Sequence, residues 1–176
     1  MAKRLTIDGY GQLELNQVAF RRDGRIEAQC RIADGIDYVE NGMILAINQA
    51  DRTVGMPTGN DEFLALNYTT EHMYDERLVH GLKHFKLDKD TFLPRLGYLA
   101  TGDKFTTNCL AYDEATYTGE TAEDDVKAAV GTTLLYGAPC ELGAILLTAD
   151  ATNAVVKVVK ADTMPDGQFA VKFIAL

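Results

Sequence analysis

Val155-Val156-Lys157-Val158-Val159-Lys160, then Ala161-Asp162-Thr163-Met164-Pro165-Asp166-Gly167-Gln168, then Phe169-Ala170-Val171-Lys172-Phe173-Ile174-Ala175-Leu176 close the chain. The outer two segments are rich in β-branched and aromatic residues, which fit a pleated, half-buried surface. The middle segment carries turn chemistry. Pro165 is pre-set for the first central position of a type I turn, and Gly167 takes the left-handed position after it. The stretch reads as a β-hairpin. It stops on apolar residues with no polar tail, so its last strand is expected to be tied into a sheet or an interface.

Upstream, 25–32 shows the clearest period-two pattern. Ile26, Ala28, Cys30 and Ile32 alternate with Arg25, Glu27, Gln29 and Arg31, the signature of a strand with one dry and one wet face. Leu13 and Leu15 alternate with Gln12, Glu14 and Asn16. Asp23-Gly24 between the two segments offers the positive φ of a tight turn, so 13–32 is expected to form a second hairpin. Further short strands are expected at 43–47, 53–56 (ended by Pro57), 63–68, 98–100, 104–110 and 142–147, with turns at Asn41-Gly42, 49–52 and Thr101-Gly102-Asp103. Thr121 with Asp124 fits a capping box for a short helix that uses Val126, Ala129 and Val130 and ends at Gly131. Many short strands with frequent turns predict a mainly β protein. The expected fold is a compact antiparallel β-barrel or sandwich with one or two short helices in connecting segments.

One β-rich domain over 1–176 suits the length of 176 residues. The 71–90 segment reads as an inserted surface connection. Leu78, Leu82 and Phe85 have helical spacing, Gly81 interrupts it, and His72, His80 and His84 all fall there. The chain is acidic, with a net charge of −9. Nucleic acid is therefore not an expected partner, since its binding needs clustered Lys and Arg to displace counterions. Arg21, Arg22 and Arg25 read as a solvated hairpin tip. An anionic membrane surface is disfavoured by the same charge. No apolar run approaches the roughly 18 residues of a membrane helix, and the first residues lack a secretory apolar stretch. The expected compartment is the cytosol of the producing cell.

Catalytic signatures are sparse. Phosphate-binding glycine loops are missing, and the sequence contains no serine, so no G-x-S-x-G elbow exists. Cys30, Cys109 and Cys140 form no C-x-x-C pair and read as buried thiols. His80 and His84 stand at i and i+4, the spacing of a shared metal on a helix, with His72 nearby. The Glu of H-E-x-x-H is absent, and solvated surface histidines are the expected reading. Glu123-Asp124-Asp125 reads as an acidic first helical turn rather than a calcium loop. The Asn67-Tyr68-Thr69 sequon reads as chance. Neither a cofactor nor a metal is expected.

Val156-Lys157-Val158-Val159-Lys160, Thr163-Met164-Pro165-Asp166-Gly167-Gln168 and Ala170-Val171-Lys172 resemble the ends of head-decoration, or capsid cement, proteins of tailed bacteriophages. The stretch 39–57, with Asn41-Gly42-Met43, and the stretch from Leu93-Pro94-Arg95-Leu96-Gly97 to Asn108 are similar in pattern. The resemblance covers about half of the chain and departs from the small lambda-type decoration protein in length. It implies a non-enzymatic structural protein on the capsid exterior of a virion. Its implied partner is the major capsid protein, and it implies a homo-oligomer, a trimer among the options. Lys3, Arg4, Leu5, Thr6 and Ile7 are the candidate capsid-docking arm, acting by strand addition; an internal edge strand is the competing reading. Two alternatives stand beside it. One is a tail-tube or head–tail connector component, and the other is a small metal-dependent enzyme built on His72, His80 and His84.

Overall fold

The computed structural model describes residues 1–59, 61, 63–69 and 82–176. In chain order the first elements are β1 (Ala2–Arg4), β2 (Leu13–Gln17), α1 (Ala19–Arg22), β3 (Ile26–Glu27), β4 (Arg31–Ile32) and β5 (Tyr38–Val39). Then come β6 (Ile44–Asn48), β7 (Thr53–Gly55), β8 (Leu64–Asn67), a 3-10 turn at Leu82–His84, β9 (Leu87–Asp88) and β10 (Leu96–Gly97). The last are β11 (Lys104–Thr107), β12 (Leu110–Asp113), α2 (Ala122–Ala129), β13 (Tyr136–Pro139), β14 (Ile145–Thr148), β15 (Val156–Thr163) and β16 (Phe169–Ala175).

The protein is mainly β. An eight-stranded sheet has the order β1-β12-β14-β13-β15-β16-β11-β2, a six-stranded sheet the order β3-β10-β8-β6-β7-β4, and β5 pairs with β9. The large sheet begins at β1 and ends at β2 without closing, so the architecture is sandwich-like and not a barrel. Pairing is mostly antiparallel; β12 with β14 and β4 with β7 run parallel.

The C-terminal hairpin forms as its turn chemistry requires. β15 and β16 pair antiparallel from Val156↔Ala175 to Thr163↔Phe169. Met164 N–H donates to Gln168 O at 2.9 Å, and Gly167 sits at φ 86°. The register shifts between Val158 and Lys160, and this bulge turns Val159 out to solvent. β16 is an inner strand between β15 and β11, which accounts for the apolar end of the chain.

The expected hairpin over 13–32 does not form. β2 pairs instead with β11, about 90 residues away in sequence. The intervening residues make one helical turn whose Phe20 is fully buried against Tyr68, ring centroids 5.1 Å apart. Asp103 accepts a hydrogen bond from Ala19 N–H at 2.6 Å and holds that turn in place. Gly24, at φ 71°, ends the helical turn, so Arg21 and Arg22 lie at its end and not on a hairpin tip. The 25–32 strand is also split. Ile26–Glu27 pairs with β10 and Arg31–Ile32 with β7, leaving Ile26 and Ala28 exposed while Cys30 and Ile32 are buried. Seating Phe20 and serving two different partner strands outweigh the local alternation.

Two apolar clusters make the core. One joins Phe105, Leu110, Tyr112, Ile145 and Phe173 of the large sheet to Phe20 and to Val126 of α2. The other joins Cys109, Ala111 and Ala144 to Val39, Leu45, Val54 and Leu96. Consecutive residues of β12 thus feed opposite clusters, and the continuous apolar run Cys109-Leu110-Ala111-Tyr112 follows from burial on both faces. Helix α2 has the expected extent. The capping box is absent: Thr121 Oγ1 donates to the Asp125 carboxylate at 3.0 Å, and no side chain caps the first turn.

Within 71–90, only 82–90 is described, and this part packs on the body. Leu87 is buried, β9 pairs with β5, and Tyr10 N–H donates to Lys83 O at 2.7 Å. Leu78, His72 and His80 lie outside the described residues. No helix of the described residues is long and apolar enough to cross a membrane.

Candidate functional site

Of the candidate arm, Lys3 and Arg4 lie in β1 at the edge of their own sheet, and Leu5, Thr6 and Ile7 follow it along the body. Ala2–Arg4 pairs antiparallel with β12 in the register Lys3↔Tyr112. Leu5 N–H continues the ladder to Leu110 O at 3.0 Å. In an antiparallel ladder, alternate residues turn their main-chain groups to the partner. Lys3 and Leu5 face β12, so the N–H and C=O of Ala2 and Arg4 face outward. No partner for them occurs among the described residues. The other arm residues also engage their own fold, two by burial and two by surface contacts. Leu5 is buried, Ile7 is half-buried, Lys3 Nζ lies 3.6 Å from Glu114, and Thr6 Oγ1 donates to Glu123 at 2.7 Å.

Arg4 supplies the strongest fixture. Its guanidinium grips Glu40 bidentately, Nη1 donating to Oε1 at 2.6 Å and Nη2 to Oε2. Paired parallel N–H···O contacts of this kind add geometric as well as electrostatic specificity. The Glu40 side chain is 2% exposed and that of Arg4 27%. Gly11 N–H donates to the same carboxylate at 2.5 Å. Burial lowers the arginine pKa, yet the contacts to Glu40 outweigh it and hold the net value above the ordinary one. The Arg4 Nε atom is buried without a partner among the described residues, a local cost.

A polar seam positions this pair. Glu40 O accepts from Asn67 Nδ2 at 2.8 Å, and Gly42 N–H donates to Asn67 O at 2.9 Å. Asn67 is 1% exposed, so the sequon asparagine is a structural strut without room for a glycan. Gly42 holds φ 84° and packs directly on Thr107, whose Oγ1 donates to Gln12 O at 2.7 Å. Beside the seam, Cys109 lies 3.7 Å from Arg4 Nη2, and burial pushes its thiol up to about 12. Burial also raises Cys140 and Cys30. All three are free and buried, the environment of inert thiols.

The tyrosines Tyr10 and Tyr38 meet edge to face at 5.6 Å, with Lys86 Nζ 4.8 Å from the Tyr38 ring centre. Of the three histidines only His84 is described; it is exposed, and no metal-holding group occurs among the described residues. The reading built on His72 and His80 lies outside them. A cavity of about 530 Å³ lies beside β6 and β7; among its described lining residues the carboxylate is Asp61, which accepts hydrogen bonds from Thr58 and Gly59.

No family model, curated protein or solved structure matches the chain.

Sequence reasoning pointed to 3–7 but missed Glu40 as its anchor. One signal was present: an acidic residue inside the run Tyr38-Val39-Glu40-Asn41-Gly42-Met43, where a carboxylate between buried neighbours requires a cation.

Proposed function

We propose that this chain is a non-enzymatic virion structural protein that binds the outside of an assembled capsid lattice and stabilises it. The observation that carries the reading is the outer edge of β1, unpaired among the described residues, on a sandwich-like body. A short edge strand fixed from within by a buried ion pair presents main-chain donors and acceptors at a constant angle. Such an edge accepts a strand from a neighbour with little demand on that neighbour's sequence. The resemblance of the C-terminal hairpin to the ends of head-decoration proteins supports the major capsid protein as that neighbour. The acidic surface charge is compatible with a position outside the shell, away from packaged DNA.

The test is co-sedimentation of the purified protein with undecorated empty shells of its cognate capsid protein, followed by thermal dissociation of those shells. Saturable binding with a raised dissociation temperature is expected. Protein that stays in the supernatant and leaves the shells unchanged overturns the reading.

The second open edge of the large sheet, β2, favours one other arrangement. Pairing β1 of one copy with β2 of the next is a heterologous contact, which makes a ring where the rotation between copies closes, as a tail-tube or connector component requires. A ring of fixed subunit number in light scattering of the protein alone selects this second reading.

A further inference from the structure

Arg4 belongs to two features at once. It is part of the open edge, and it lines a cavity of about 290 Å³ on the inner side of that edge. Ile36, Met43, Met56 and Leu142 give the cavity apolar walls. The Arg4–Glu40 pair lies at its buried side, where the two charges neutralise each other. At the solvent side stand Asp37 and Glu141, both exposed. Neither carboxylate forms an ion pair or a side-chain hydrogen bond with another described residue. The cavity therefore presents an apolar throat with two uncompensated negative charges at its mouth. Its volume is near the floor of the roughly 300–1,000 Å³ range of small-molecule sites, so it suits one side chain rather than a cofactor.

We infer that this cavity receives a lysine or arginine side chain from the extended protein segment that adds to β1. The inference rests on the strand-addition reading above and specifies the chemistry of the partner. A strand laid against the outer edge of β1 brings one of its side chains to about 5 Å from Arg4 on the same face. From there an aliphatic stem lies along Met43, Met56 and Leu142, and its cationic head reaches Asp37 and Glu141. Long basic side chains bury their stems and keep the charge at the wet end in this way. Methionine walls adapt to either stem. An acidic guest would add a third negative charge to the two at the mouth, on a protein of net charge −9. Charge complementarity thus sets the register of the added strand, while the main-chain bonds hold it.

The experiment is a titration of 15N-labelled protein with the capped peptide TVTKVTV and with the same peptide carrying norleucine for lysine. Resonances of Ala2, Arg4, Asp37 and Leu142 are expected to shift together. The norleucine peptide is expected to bind about tenfold more weakly. The double variant Asp37→Asn, Glu141→Gln is expected to lose that same factor toward the lysine peptide and none toward the norleucine peptide. Ala2→Pro removes an outward N–H that no described residue uses, so it is expected to abolish binding of both peptides. Equal affinity for lysine and norleucine peptides, shifts confined to β2, or self-association through β1 in the absence of peptide overturns the inference. Shells separate the two proposals. If wild type and the Asp37→Asn, Glu141→Gln variant sediment equally well with shells, the pocket inference fails and the capsid reading stands. If the peptides behave as expected and shells are not bound, the capsid reading fails and the pocket stands.

Discussion

Arg4→Ala removes the cation that compensates a carboxylate buried to 2% exposure and leaves Gly11 N–H as the remaining donor to Glu40. Taking one partner from a buried ion pair costs about 3–5 kcal/mol. Arg4 keeps 27% exposure, and solvent there screens the pair, so the expected loss is lower, about 2–3 kcal/mol. In a chain of this size each kcal/mol shifts Tm by about 2–4 °C, which gives a fall of about 4–12 °C. The damage should be local first. With its inner fixture gone, β1 opens ahead of the body, and Leu5 N–H exchanges faster than the amides of β16. The double variant Arg4→Met, Glu40→Gln keeps an acceptor for Gly11 and removes both charges. It should recover all but about 1 kcal/mol, because replacing both partners of a buried pair is far cheaper than removing one. Guanidinium unfolding and native-state hydrogen exchange measure both effects. A single variant within 0.5 kcal/mol of wild type, with unchanged Leu5 exchange, would show that the pair does not hold the edge and refute the reasoning.

Other tests address the core and the turns. At pH 8 the native protein should react with a thiol reagent at none of its three cysteines, while all three label in guanidinium; labelling that precedes loss of fold contradicts their burial. Gly42→Ala should cost about 2–4 kcal/mol, because a Cβ at φ 84° is strained and runs into Thr107 Oγ1. Gly24→Ala, at φ 71° with open space around it, should cost about 1 kcal/mol, and equal losses in thermal unfolding contradict the packing at Gly42. Acid should loosen the C-terminal turn through Asp166. Burial pushes that carboxyl up, but hydrogen bonds from Gln168 and Gln12 outweigh it and leave it below the ordinary value. Its stabilisation is therefore full above about pH 4 and is lost as pH falls through the lower folded value. Asp166→Asn should flatten this acid limb in guanidinium titrations between pH 2 and 6, and an unchanged limb removes Asp166 from the account.

Legibility followed the range of the interactions involved. The β15–β16 hairpin was readable because turn and strands are contiguous, and Pro165 with Gly167 encodes the reversal locally. Short strands at 44–48, 53–55 and 64–67 were found for the same reason, each bounded by turn residues. The hairpin expected over 13–32 failed because its alternation says that a strand exists but not which strand it meets. Phe20 needed a seat beside Tyr68, and that seat is built by 64–69 and 95–97, far along the chain. Arg4 and Glu40 are 36 residues apart, and no periodicity links them.

The sequence by itself determined the class of fold, the acidic surface and the C-terminal hairpin, because composition and turn chemistry act over a few residues. Only the tertiary structure decided that β1 lies at the end of the large sheet, that a buried carboxylate anchors that edge, and that two exposed acids, unpaired among the described residues, stand beside it. Those are outcomes of long-range strand pairing, in which each strand takes the partner that best buries both its faces, and no local stretch contains that comparison.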